Sequence, residues 1–217
     1  MARNSGCPVW VGKDRAATAR ALLAANPDCN VIVSDDGLQH YRLTRDVEIA
    51  VVDGTRGHGN GFMLPAGPLR EPVSRLETVN AVVLRGATTA AQNTTPPRFT
   101  MTLAATALRN LRSHRMLPLT QWRAVRVHAI AGIGNPQQFF DALTAHGIAH
   151  TPHAFADHHA YSARDLTFND CDAVVMTEKD AVKCERFASE KHWALQAEAH
   201  VDDTLAQWVI DRIKRKH

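Results

Sequence analysis

Several kinds of feature are missing from this chain, and each absence removes a class of protein. No apolar run approaches the roughly 20 residues of a membrane-spanning helix, so the sequence predicts no transmembrane segment. The opening Met1-Ala2-Arg3-Asn4-Ser5-Gly6 lacks the apolar stretch of a secretory signal. Four cysteines (Cys7, Cys29, Cys171 and Cys184) form neither a CxxC pair nor a zinc spacing, and read as reduced thiols in a cytosolic protein. Charge of one sign is missing too. The 25 basic and 22 acidic residues leave a net +3, which gives no general pull toward nucleic acid. There is no internal repeat and no long linker.

A nucleotide-phosphate loop is also missing from the 217 residues. Such a loop, GxxxxGK[ST], wraps phosphates in backbone N–H groups and offers a hydroxyl to Mg²⁺. The nearest approach is Gly6-Cys7-Pro8-Val9-Trp10-Val11-Gly12-Lys13-Asp14. Its glycines are one residue too far apart, and Asp14 stands where the hydroxyl belongs and would repel phosphate.

What is present is a globular composition, 45% hydrophobic and 22% charged, long enough for one large domain or two small ones. The organising stretch is Val31-Ile32-Val33-Ser34-Asp35-Asp36-Gly37-Leu38-Gln39-His40. An all-apolar run of this kind predicts a buried strand of a parallel sheet, and ligands of open α/β sheets bind beyond the carboxyl ends of such strands. Asp35 and Asp36 then fall where a metal-bound phosphate would be held, and paired carboxylates suit Mg²⁺. The alternative is a turn cap at Asp35 and a solvated Asp36.

Along the chain, strands are expected at residues 8–11, 30–34, 47–53, 81–84, 98–103, 125–131, 148–155 and 173–176. Helices are expected at 13–25, 72–78, 137–146 and 203–216. The first strand, helix and second strand make the repeating unit of a parallel sheet. Residues 57–72 form a long Gly- and Pro-rich loop, the kind that is usually functional, and Phe62, Met63 and Leu64 within it offer an apolar contact surface; a loop tucked on its own hydrophobes is the alternative. Arg70 carries a planar fork matched to phosphate or carboxylate; a surface salt bridge is its alternative. Residues 87–97 read as a connector, and a partner for the strand at 98–103 is expected between 104 and 122. Gly132-Ile133-Gly134 starts a dinucleotide turn, but Gln137 stands where its third glycine belongs. Asp157-His158-His159 suits proton transfer or phosphate contact, with a capping Asp and two exposed histidines as the alternative. Thr177 and Asp180 have helix-capping spacing, with Lys179 a lesser phosphate candidate. The basic end of the last helix suits the helix dipole and reads first as a solvated end, with an anionic membrane surface as the alternative.

Four stretches taken in order resemble one family: Ser34-Asp35-Asp36-Gly37-Leu38-Gln39-His40-Tyr41; the loop from Gly59-Asn60-Gly61 to Leu64-Pro65-Ala66-Gly67-Pro68-Leu69-Arg70-Glu71; Asp157-His158-His159; and Thr177-Glu178-Lys179-Asp180-Ala181-Val182-Lys183. The family is tetraacyldisaccharide 4′-kinase, the lipid A 4′-kinase of Gram-negative bacteria. The resemblance implies ATP- and Mg²⁺-dependent phosphorylation of the 4′-hydroxyl of a tetraacyldisaccharide 1-phosphate, at the cytoplasmic face of the inner membrane. It implies an α/β fold in which a P-loop-NTPase-like α/β/α lobe (residues 1–95) is joined by a β-ribbon (96–123) to a second, Rossmann-like α/β lobe (124–217). By motif, Asp35 and Asp36 are the Mg²⁺ acids. Gln39, His40, Arg70 and Glu71 line the site and contact nucleotide or substrate. His158 is the catalytic imidazole, ahead of His159. The resemblance further implies a membrane-anchoring helix, a phosphate loop and a catalytic aspartate that these 217 residues do not contain. The expectation is therefore a truncated member. Two alternatives are an inactive remnant that keeps lipid or nucleotide contacts, and an unrelated Rossmann-like enzyme. The expected partner is the acylated lipid, with peripheral membrane contact and no nucleic acid; oligomeric state is left open.

Overall fold

The computed structural model describes residues 5–54, 57–86 and 95–215. It is a mixed α/β chain whose internal contacts divide it into two units: Met1–Met101 with Val201–His217, and Thr102–His200.

In the first unit, helix α1 (Arg15–Ala25) starts at Asp14, whose carboxylate accepts the Ala17 N–H at 3.0 Å. It ends at Asn26, ahead of Pro27. Strands β1 (Ile49–Asp53) and β2 (Ala81–Arg85) pair in parallel, Ile49 opposite Ala81. On its other edge β2 pairs in parallel with the start of β3 (Arg98–Asn110). Alternation along these strands sends side chains to two faces. One face packs Ala50 and Val82 with Val79, Leu38 and Leu76. The other packs Ala81, Val83 and Phe99 with Leu205 and Trp208 of the closing helix, residues Thr204–Lys214. A 3-10 turn, Val73–Glu77, lies where the short helix was expected.

The strands expected at 8–11 and 30–34 do not form. Among the described residues no strand pairs with either segment, and Val11 and Val33 are almost fully exposed. A strand exists through its ladder, so an apolar β-branched run without a neighbour stays irregular. The expected strand–helix–strand unit is therefore absent, and Asp35 and Asp36 follow an exposed irregular segment instead of a buried strand. Of the connector expected at 87–97, residues 87–94 lie outside the described residues. The strand expected at 98–103 runs on to Asn110.

In the second unit the strand order is β3-β8-β7-β5-β6, with β4 (Met116–Pro118) antiparallel on β3. Here β5 is Val127–Ala131, β6 Thr151–Ala154, β7 Ala173–Thr177 and β8 His192–Val201. The pairs β5–β6, β5–β7 and β7–β8 are all parallel. Helix α2 (Pro136–Ala145) lays Phe139, Phe140 and Leu143 on the face carrying Val127, Ala129 and Val175. Helix α3 (Glu178–Cys184) packs Ala181 and Cys184 on the opposite face, with Ile130, Val174 and Met176. The chain runs outward from β5 to β6, then returns to β7 on the other side of β5. That reversal puts the switch point of the strand order at β5 and β7, whose carboxyl ends are where open α/β sheets bind ligands. The helix Thr204–Lys214 is numbered α4 below. Among the described residues no helix is long and apolar enough to cross a membrane.

Candidate functional site

The first unit gathers five of the expected residues around one turn. Asp36 has a left-handed backbone, φ 50°, a conformation that Asp tolerates better than most residues. The next residue, Gly37, packs closely on Ser34, whose hydroxyl would lie 2.8 Å from an added Cβ. Arg45 then fixes the turn, its guanidinium donating to the carbonyls of Gly37 and Leu38 at 2.7 and 3.2 Å.

Arg70 grips Asp36 with both arms of its fork: Nη1 donates to Oδ2 at 3.0 Å and Nη2 to Oδ1. These bonds hold the Asp36 carboxyl below its usual range. Glu71 faces the other way. It accepts from the Gln39 amide at 2.6 Å and the Tyr41 hydroxyl at 2.8 Å, and it pairs with Arg75 at 3.2 Å. The Gln39 bond, then that of Tyr41, holds Glu71 below its usual value. Arg75 continues to Glu48 at 2.8 Å, and Glu48 to Arg45 at 2.6 Å. A continuous network thus ties residues 37–48 to residues 70–75. His40 and Gln39 line a cavity of about 570 Å³ with Lys13, Asp14 and Arg15.

Asp35 and Asp36 are both exposed. Among the described residues no group of three or more His, Cys, Asp or Glu side chains could hold a metal ion. The pair still fits Mg²⁺ in the way that ion is held with nucleotides, by one or two carboxylates completed with phosphate oxygens and water. Both oxygens of Asp36 accept from Arg70, and each keeps a second lone pair that a cation can use. The ion pair is solvent-exposed, and such pairs hold by about 1 kcal/mol or less. The same fork also matches a phosphate.

The second unit separates the two adjacent histidines. His158 is exposed and has φ 61°. Its Nε2 lies 3.8 Å from Asp157 Oδ2, too far for a hydrogen bond. Asp157 is held by Lys179 at 3.0 Å and by the His158 N–H, and the Lys179 bond lowers its pKa. His159 instead packs between Phe155 and Tyr161, with Nε2 3.5 Å from Asp165. One imidazole is a packing element and the other is free to meet a ligand.

Sequence reading gave Asp180 a capping role only. Its N–H does donate to Thr177 Oγ1 at 3.1 Å, as the spacing predicts. Its carboxylate is also fully buried and accepts from the Gly132 N–H at 3.0 Å, the Thr177 hydroxyl at 2.7 Å and Lys183 at 3.2 Å. It thereby laces the ends of β5 and β7. A Cβ on Gly132 would meet the Tyr161 hydroxyl at 2.7 Å, so this glycine serves close packing. Asp14, the residue that spoils the would-be phosphate loop, is the N-cap of α1.

The sequence profile of the family described as Tetraacyldisaccharide-1-P 4'-kinase matches residues 1–214. A tetraacyldisaccharide 4'-kinase of Methylobacillus flagellatus is 47% identical over 216 residues, covering 99% of this chain and 63% of that protein. One from Nitrosococcus oceani is 45% identical, covering 99% and 62%. A crystal structure of the "apo" form of LpxK from Aquifex aeolicus in complex with ATP superposes with a TM-score of 0.70 at 27% identity, covering 94% of this chain and 63% of that one. The chain thus spans a little under two thirds of the length of these relatives, and it belongs to the tetraacyldisaccharide-1-P 4'-kinase family.

Proposed function

We propose that the protein carrying this chain transfers a phosphoryl group from ATP to the 4′-hydroxyl of a tetraacyldisaccharide 1-phosphate, a step of lipid A synthesis at the cytoplasmic face of the inner membrane. The observation that carries the reading is the pairing of Arg70 with Asp36, braced through Glu71 and Gln39. An acid that can hold a cation and a fork that can hold a phosphate already meet there. Residues 1–95 would then be part of the nucleotide lobe, residues 96–123 the ribbon and residues 124–217 the second lobe.

Asp35 and Asp36 would hold Mg²⁺, which when bound offsets the charge of the phosphate oxygens. Arg70 moves from Asp36 to phosphate and orients it through two parallel hydrogen bonds. Gln39 and His40 line the approach. Glu71 positions Gln39, Tyr41 and Arg75 and so keeps the turn rigid. His158 accepts the proton of the attacking sugar hydroxyl. Lys179 holds Asp157 in place.

The test is conversion of tetraacyldisaccharide 1-phosphate with ATP and Mg²⁺, the product located by phosphorus NMR. The protein carrying the chain together with a phosphate loop should give the 4′-phosphate ester. The 217 residues alone should give little or none, because they contain no such loop. An inactive remnant would bind nucleotide or lipid without turnover in either form. Turnover by the 217 residues comparable to that of the complete protein would contradict the role given to the loop.

A further inference from the structure

Three consecutive large apolar side chains stand in water on the loop that leads to Arg70. Phe62 is 63% exposed, Met63 50% and Leu64 65%. Compact loops of this length are usually packed by their own side chains. This one is stiffened without them. The Leu64 N–H donates to Leu69 O at 2.8 Å, the Leu69 N–H to Phe62 O at 3.2 Å, and the Gly67 N–H to Met63 O at 3.0 Å. Asn60 clamps the base, its amide donating to Ala66 O at 2.9 Å and its oxygen accepting the Phe62 N–H at 3.1 Å. Gly67 passes so close that a Cβ there would lie 2.2 Å from the Asn60 oxygen. The backbone is fixed, and the apolar groups are left pointing at solvent.

A rigid tip with a contiguous apolar end marks a docking surface, and its partner must be apolar. We infer that Phe62, Met63 and Leu64 enter the hydrocarbon of a lipid bilayer and hold the Arg70–Asp36 site at the headgroup level. The inference rests on the kinase reading for its choice of partner. A substrate with four acyl chains is kept in a bilayer by the burial of its many CH₂ groups. Only its headgroup reaches the surface, so the site must come to the interface. The tip lies six residues before Arg70 on the same braced loop, so its insertion carries the site to that depth.

The experiment uses the intact protein that carries this chain and vesicles of equal parts phosphatidylethanolamine and phosphatidylglycerol. An environment-sensitive thiol label is attached through Phe62→Cys, in a background of Cys7→Ser and Cys29→Ser. The other two thiols of this chain, Cys171 and Cys184, are buried, and burial pushes Cys184 up to about 12, so neither competes for label; any cysteine elsewhere in the intact protein is replaced by serine. The same label attached through Val125→Cys, at a site 80% exposed in the other unit, is the reference. The expected result is a blue shift and quenching by nitroxide-bearing lipid for the first label and neither for the second. Adding Met63→Ser and Leu64→Ser should cut the quenching severalfold, with the circular dichroism spectrum unchanged.

A first label that stays as wet as the second overturns the inference. So does a blue shift that follows protein concentration without vesicles, because the occupant is then a second copy. The measurement needs no turnover. Insertion without phosphoryl transfer would overturn the kinase reading and leave the docking surface standing.

Discussion

Asp36 combines a left-handed backbone, an exposed carboxylate and a guanidinium on both oxygens. Its lowered pKa comes first from the Arg70 hydrogen bonds. Arg70→Ala should therefore move the Asp36 carboxyl back up toward 3.8, its ordinary value, in a carbon-detected NMR titration. Because the pair is solvent-exposed, the same change should alter folding stability by less than about 1 kcal/mol. A carboxyl that does not move would show that some other group sets its charge. At this scale much was legible in the sequence. The order Asp36, Gln39, Arg70-Glu71 marks residues that prove to be partners across more than thirty positions. The roles of Asp14 and His159 were not legible. A cap and a packed imidazole are decided by which N–H or ring lies beside them, and neither follows from residue type.

At the level of elements, the buried carboxylate of Asp180 joins α3, β7 and the turn after β5. Asp180→Asn leaves the Gly132 N–H and Lys183 with a weaker acceptor and should cost about 1–3 kcal/mol in chemical denaturation. Thr177→Ala removes the cap and should cost about 1 kcal/mol. Losses confined to a few tenths for both would mean that the lacing contributes nothing. The Thr177–Asp180 spacing was readable because a helix cap is local. Two features that depend on distant neighbours were not. Residues 30–34 have a strand's composition and no ladder, whereas β8 has Gln196, Ala197, Glu198 and Ala199 in mid-strand and is a strand because it lies between β3 and β7. The apolar loop tip was visible as composition, but its exposure depends on bracing through Asn60 and the backbone.

For the whole molecule, acid should act in two stages. His192 is buried. Its Nδ1 accepts the Ser189 N–H at 2.9 Å and its Nε2 lies 3.2 Å from Leu166 O, an arrangement that requires the neutral ring. Burial lowers its pKa, and burial followed by the neighbouring His128 lowers that of His153. The unfolded chain therefore takes up these protons first. Stability is intact above 6.5, the ordinary histidine value, and declines as pH falls below it. The carboxyls with lowered values, among them Asp36, Glu71, Asp157 and Asp172, add a second loss as pH drops below about 4. His192→Gln should flatten the first stage and spare the second in denaturant titrations at stepped pH. A curve with no decline until the carboxyl range would contradict the neutral-ring assignment.

The account turns on Asp36 as the acid that brings a cation to the phosphate tail. Its most direct test is the Mg²⁺-dependent rate of phosphoryl transfer to tetraacyldisaccharide 1-phosphate by the complete protein with and without Asp36→Ala. The account predicts a fall of about a hundredfold to a thousandfold or more in kcat, with circular dichroism unchanged, as expected when a group that stabilises transition-state charge is removed. An undiminished rate with the same Mg²⁺ dependence would contradict it.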